Sequence, residues 1–379
     1  MGIVGAGISG LAAATFLGRE GHRVTVLERM STPASVGTGI LLQPAGLDVL
    51  RRLDLDVAAI SRGCAIRRVV ARAGDGATLM DLQYARLAHG VHALGIRRAA
   101  LAGVLLEAAR AAGAEVRFGT PIDSLREDGG IELLAPDASA GGFDLVLVCN
   151  GLGSRLRQHV APARVRPHAF GVYSILAPLP SGLAEDALLQ RLDGMRDAVG
   201  LLPVGRDSKG VPLVSFFWNA KESDVPGLES AGFAAWTRHI ERFCPEAREL
   251  LRETGSFADL AYYKTSEVRM PRWHRARTLV MGDAAHALDP HLGLGATMAL
   301  LDAEMLAHCV RESEGDVATA LTAYESRRRR GIAPYARISR IWSRLDHTGL
   351  IALRRRLFLA AASAPDFLQR RLLRRVSGY

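Results

Sequence analysis

Short apolar runs alternate with longer amphipathic ones along this chain, and the order of the two is informative from the first residue. Gly2-Ile3-Val4 predicts a buried strand. Ser9 to Gly18, with Leu11, Ala12, Ala13, Ala14, Phe16 and Leu17, has the small and apolar content of a packed helix. Arg23 to Glu28 predicts a second strand, which completes a βαβ unit. A helical pattern follows from Pro44 to Leu53, and strands and turns from Ala65 to Ala93. A second helix, Arg98 to Ala112, is stopped by Gly113. Ala114 to Phe118 and Phe143 to Val148 predict strands, the latter almost wholly apolar, as a parallel strand covered on both faces should be.

From His168 to Phe257 the texture changes to apolar runs separated by Pro and Gly, which predicts an antiparallel sheet. Arg277 to Asp283 then returns to the pattern of a buried strand, followed by a helix from about Gly293 to Val310. The fold class expected is α/β: a Rossmann-type dinucleotide-binding domain into which an α+β substrate domain with an antiparallel sheet is inserted. The boundaries expected are 1–65, 92–165 and 270–345 for the first domain, and 66–91 and 166–269 for the second. Residues 346–379 are expected to form a basic, amphipathic, helical tail.

Length and composition agree with that plan. The 379 residues suffice for two cores, since domains usually hold about 100–200 residues. With 49% hydrophobic and 23% charged residues the chain is globular rather than disordered or fibrous. The net charge of +9 is carried by arginines, because the only lysines are Lys209, Lys221 and Lys264. They are scattered except in the tail, and no nucleic-acid motif accompanies them, so nucleic acid is not an expected partner. The tail (Arg354 to Arg356, Arg370, Arg371, Arg374 and Arg375 among leucines and phenylalanines) suits a helix packed on the domain, with a membrane-surface role the less favoured reading.

Cys64, Cys149, Cys244 and Cys309 lie far apart without metal-ligand spacing, so no metal site is expected. The N-terminus lacks a basic leader and has four glycines among its first ten residues, which argues against a secretory signal and for the cytoplasm. Nothing in the pattern fixes an oligomeric state.

Chemistry enters at Gly5-Ala6-Gly7-Ile8-Ser9-Gly10, a G-x-G-x-x-G turn directly between strand and helix. Gly5 permits the tight turn, Gly7 the approach of a diphosphate, and Gly10 close helix–strand packing. Unpaired amides and the positive end of the helix dipole would hold the diphosphate without a lysine. Glu28, eighteen positions beyond Gly10, can accept hydrogen bonds from both ribose hydroxyls of an adenosine and disfavours a 2′-phosphate. The residues thus indicate FAD or NAD and leave the choice open.

Gly282-Asp283-Ala284-Ala285-His286, with the Gly293-Leu294-Gly295 turn and the helix after it, resembles the second FAD motif of the class A flavoprotein monooxygenases. That family includes para-hydroxybenzoate hydroxylase and the ubiquinone-biosynthesis hydroxylases. Three further stretches agree in order and spacing: Gly37-Thr38-Gly39-Ile40, Arg98-Ala99-Ala100-Leu101, and Val148 to Arg157. The resemblance covers roughly residues 1 to 345.

It implies FAD as cofactor, NAD(P)H as co-substrate, and a small aromatic or polyketide-like substrate that gains one oxygen atom by hydroxylation or Baeyer–Villiger oxidation. Cofactor contacts would come from Gly5, Gly7, Ile8, Ser9, Gly10, Glu28, Arg29, Gly39, Ile40, Arg98, Ile122, Asp283, Pro290, Gly293, Leu294, Gly295 and Ala296. Asp283 would accept from the ribityl hydroxyls. His286 would brace the turn. Asp289 and His291, flanking Pro290 on a loop expected to face the flavin, are the candidate catalytic pair.

The chain departs from the family pattern at Asn150, where an Asp precedes Gly151 in the family, at Leu294 in place of Gln, and at Thr297 in place of Asn. Asn150 puts the pyridine-nucleotide interaction in question and keeps open a flavin-dependent reductase or oxidase without oxygen transfer. A membrane-surface flavin-binding protein is the alternative outside enzymology. Halogenation is not expected, since Trp218, Trp236, Trp273 and Trp342 are isolated and no W-x-W-x-I-P run occurs.

Overall fold

A computed structural model describes residues 1–33, 38–127, 130–136, 138–193, 197–289 and 293–347. Its first layer is a six-stranded sheet in the order His274–Arg275, Thr278–Val280, Val146–Val148, Gly2–Val4, Thr25–Leu27 and Glu115–Arg117. Every pair is parallel except the outer one at His274–Arg275. Ile3, Val26, Leu147 and Leu279 are fully buried, as strands covered on both faces must be. Helices Ile8–Arg19, Arg98–Ala111 and Gly295–Glu312 pack around it in one apolar cluster that includes Leu17, Leu105 and Leu306.

The second layer is a seven-stranded sheet in the order Ala261–Arg269, Arg164–Pro178, Pro212–Lys221, Asp197–Arg206, Ala187–Asp193, Arg68–Ala73 and Thr78–Gln83. It is antiparallel apart from the parallel pair Ala187–Asp193 and Arg68–Ala73. A small sheet, Gly39–Leu42, Ala93–Arg97 and Gly63–Ile66, lies against it where side chains are absent. A Cβ on Gly95 would stand 2.0 Å from the Pro203 carbonyl oxygen, and one on Gly39 2.5 Å from both Ser215 Cβ and Val204 Cγ1. Glycine is therefore required at both contacts.

Three expectations are corrected. The stretch from His168 to Phe257 is not strand throughout: it ends in helices Val225–Ala231, Phe233–Phe243 and Arg248–Arg252. Trp236, Ile240 and Phe243, at helical spacing, seal one face of the sheet against Val199, Phe216 and Trp218. Phe143 to Val148 is two elements rather than one. Ser139–Phe143 closes a three-stranded antiparallel sheet with Ser124–Glu127 and Ile131–Leu134, while Val146–Val148 enters the parallel sheet. The Phe143 ring covers Gly2, its Cδ2 2.8 Å from where a Cβ would be. Finally, the helix expected from Gly293 begins at Gly295, and Asp283 opens a short helix, Asp283–His286, rather than ending a strand.

Candidate active site

The glycine turn has the geometry its spacing requires. Gly5 has φ +107°, and a side chain there would collide with the Cys149 carbonyl oxygen at 2.7 Å. Gly10 lies so close to the strand that a Cβ would stand 2.1 Å from Gly5 O. Gly7 differs from both: a Cβ would meet nothing within 4 Å. The first helix therefore starts over open space with no side chain capping its amides. Ile8 and Ser9 are buried behind that opening.

Glu28 follows the second strand and is held by two amides, Ala6 N–H donating to Oε2 at 2.8 Å and Met30 N–H to Oε1 at 3.0 Å. Amides of Gly119 and Thr120 donate to the carbonyls of Met30 and Glu28, which runs the Thr120 to Ile122 turn alongside; Ile122 is half-buried. Arg29 and Arg98 are exposed, and neither has an ion pair among the described residues. Arg98 N–H donates to Thr38 O at 3.1 Å, fixing the start of its helix beside the Gly39–Leu42 strand.

The distant Gly282-Asp283 segment reaches the same place. Gly282 has φ +62°, and a Cβ on it would lie 3.0 Å from both Cβ and Oγ of Ser9. Asp302, fully buried on the Gly295–Glu312 helix, fixes this junction. Its carboxylate accepts from Gly282 N–H at 3.1 Å, from His286 Nε2 at 2.7 Å and from Arg328 Nε at 2.7 Å. Burial alone would push the Asp302 carboxyl up, but facing His286 and Arg328 outweigh it and hold the group below the ordinary carboxylate value. His286, its ring tilted against Trp273 at 4.9 Å between centroids, is thus engaged in the brace.

The brace leaves Asp283 exposed, with Oδ1 4.0 Å from the position of a Cβ on exposed Gly295. Gly295 opens a helix without a side-chain cap. Leu294 is buried and Ala296 half-buried. Thr297 Oγ1 accepts from Gln43 N–H at 3.0 Å, and Gln43 Oε1 accepts from the buried Tyr84 hydroxyl at 2.8 Å. Gly293, at φ +59°, lies next to Leu41 and Gln43, and Ile40 is half-buried on the same strand.

Asn150 follows the Val146–Val148 strand directly behind Gly5, its Cα 2.9 Å from where a Gly5 Cβ would be. Its Oδ1 is buried without a hydrogen-bond partner. Arg157, 2% exposed, ties the next loop, donating from Nε to Ser154 O at 2.7 Å and from Nη2 to the carbonyls of Gly151 and Leu152. Asp289 is buried beyond Ala287, whose carbonyl accepts from Val268 N–H at 3.0 Å. Gly37, Pro290, His291 and the tail beyond His347 lie outside the described residues.

Sequence reasoning missed Asp302, Arg328, Gln43, Tyr84 and the role of Arg157. Asp302 did carry a signal, as an acid within the otherwise apolar Met298 to Ala303 stretch of a helix.

The arrangement fits a flavin dinucleotide. It offers an uncapped helix start over an open glycine for a diphosphate, a clamped acid for a ribose, and an exposed aspartate beside a second uncapped helix start. Among the described residues no cluster of His, Cys, Asp and Glu could hold a metal, and no helix is long and apolar enough to cross a membrane.

Comparison with known proteins agrees. The family described as "FAD binding domain" matches residues 1–337. A probable 2-heptyl-3-hydroxy-4(1H)-quinolone synthase of Rhodococcus erythropolis is 30% identical over 345 residues, covering 89% of this chain and 86% of that protein. A 6-hydroxynicotinate 3-monooxygenase of Pseudomonas fluorescens is 26% identical over 355 residues, covering 89% of each. Among solved structures, Klebsiella pneumoniae HpxO complexed with FAD and uric acid superposes with a TM-score of 0.81 at 22% identity, over 100% of this chain and 96% of that one.

Proposed function

Because the chain belongs to the FAD-binding-domain family of class A flavoprotein monooxygenases, we propose that it uses NAD(P)H and dioxygen to hydroxylate a small aromatic or heteroaromatic molecule. One observation carries the reading: Ser9 and Gly282 touch, so the two motifs form a single cradle. Amides from Gly7 to Gly10 bind the diphosphate of FAD, Glu28 takes the adenosine ribose, and Asp283 takes the ribityl hydroxyls. Arg98, Arg29, Gly39, Ile40 and Ile122 line the same cofactor path. Amides at the start of the Gly295–Glu312 helix stabilise negative charge on the reduced ring.

Bound FAD supplies hydride acceptance and activation of dioxygen, which no side chain here can perform. The chain's own part is to exclude water with the face of the seven-stranded sheet opposite the Trp236 helix, beyond the patch the small sheet covers, and to hold a proton near the substrate. Buried Asp289 is the group we assign to that proton, with His291 across Pro290 as its partner.

A second reading, reduction or oxidation without oxygen transfer, is favoured by Asn150 standing where the family has an acid. Turnover under ¹⁸O₂ separates the two. Product carrying one labelled oxygen supports the monooxygenase; NAD(P)H-dependent product without label supports the second reading.

A further inference from the structure

The helices around Trp236 cover only one face of the seven-stranded sheet. The other face carries the small sheet at its Ser215 and Val204 end and, beyond it, looks toward the cofactor cradle. Ser215, on that face, accepts a hydrogen bond from Gly39 N–H at 2.9 Å, and at the opposite end Val268 is bonded to Ala287. Side chains two apart along a strand share a face, so the register defines what lies between those anchors. One row is Tyr263, Val172, Asn219 and Ala198. The next is Ser174, Phe217, Gly200 and Gln190.

Neither row contains a charged residue. The first charge met along that face is Lys221, exposed two positions beyond Asn219. Gly200 lets the Phe217 ring lie flat across it, with Cζ 1.9 Å from where a Cβ would be. Phe217 and Val172 are only half-buried and Tyr263 is 38% exposed, so they present apolar and aromatic surface to the cleft.

A carboxylate moved from water onto such a wall loses solvation and meets no cation on either row. A neutral ring loses little and gains contact with Phe217. The half-buried amide of Gln190 is suited to a ring N–H or carbonyl.

We propose that this site takes an uncharged, flat aromatic or N-heteroaromatic ring with an apolar substituent, seated on Phe217, Val172 and Tyr263, and rejects rings bearing a carboxylate. The proposal rests on the cofactor cradle and reaction assigned above and adds the substrate class.

The test uses the FAD-loaded protein without NAD(P)H and reads ligand binding from the flavin absorbance spectrum. A neutral 2-alkyl-4-quinolone is titrated against 6-hydroxynicotinate and 4-hydroxybenzoate. The quinolone should bind at least about tenfold more tightly than either acid, and Phe217→Ala should weaken it by about tenfold or more, as expected for loss of a large apolar contact. Val172→Arg should narrow or reverse the preference. Phe217→Leu replaces Phe217→Ala if the latter loses flavin, with a smaller loss in the same direction.

Equal or tighter binding of an acid by the unaltered protein, binding of none of the three, or indifference to the Phe217 change would overturn the proposal. Binding is read without turnover, so a protein that selects the neutral ring yet inserts no labelled oxygen retains this inference and loses the reaction.

Discussion

The cofactor cradle and the substrate wall face the same cleft but are built by different means. The cradle is mostly backbone: uncapped amides, glycines admitted for lack of a side chain, and two single acids, Glu28 after a strand and Asp283 at the start of a short helix. The wall is side chain, selected by strand alternation across five strands. Backbone recognition needs particular residues at particular spacings and leaves a motif. A wall needs only a property, absence of charge with apolar bulk, which many sequences satisfy.

The largest effect that would break this contrast is in the brace beneath the cradle. Asp302→Ala leaves His286 and Arg328 buried without their carboxylate, and should cost about 3–5 kcal/mol of folding stability, read by urea denaturation, with loss of retained flavin. A stable, yellow variant would mean that the brace does not hold the two motifs together.

Next come the glycines, which separate packing from ligand approach. Gly10→Ala must push against Gly5 O and should destabilise by about 1–3 kcal/mol, more than the roughly 1 kcal/mol that alanine gains in a helix. Gly7→Ala meets nothing, so stability of the FAD-free protein should stay within about 0.5 kcal/mol while the FAD dissociation constant rises about tenfold. Fluorescence titration with FAD checks the second; unchanged affinity would remove the diphosphate from this turn.

Phe217→Leu sharpens the comparison from the other side. It should leave FAD affinity within about twofold, since about 0.4 kcal/mol is the ordinary scale of a surface change, while weakening ring binding.

The smallest effect is in pH. Asp302 is held below the ordinary carboxylate pKa of about 3.9, so its contribution is fully present above that value and is lost as pH falls through the lower folded one. The stability difference between the protein and Asp302→Asn should therefore be flat from neutral pH to about 5 and shrink below about 4. A difference that shrinks on raising the pH from 5 to 7 would contradict the assignment.

Much of the cradle was legible in order. Gly5, Gly7, Gly10, Glu28 and Asp283 could be singled out because strand, turn and helix must follow one another at short range, and the turn tolerates few residues. Helices of the second layer were not located, because the apolar runs between Pro and Gly that predicted the antiparallel sheet end at Trp218, and the helical period of Trp236, Ile240 and Phe243 gains meaning only from the sheet face they cover. Asp302 was overlooked because its partners, His286 and Arg328, are 16 and 26 positions away and meet it only after three elements have packed.

By itself, then, the sequence determined the βαβ unit, the dinucleotide turn and the second motif that marks the flavin, since each depends on local spacing and on which side chains a turn can hold. Only the tertiary structure decided that Ser9 meets Gly282 and that a buried carboxylate braces the junction. It alone set Tyr263, Val172, Asn219 and Phe217 on one uncharged face. These are contacts across tens to hundreds of positions, set by register and burial, and no local pattern encodes them.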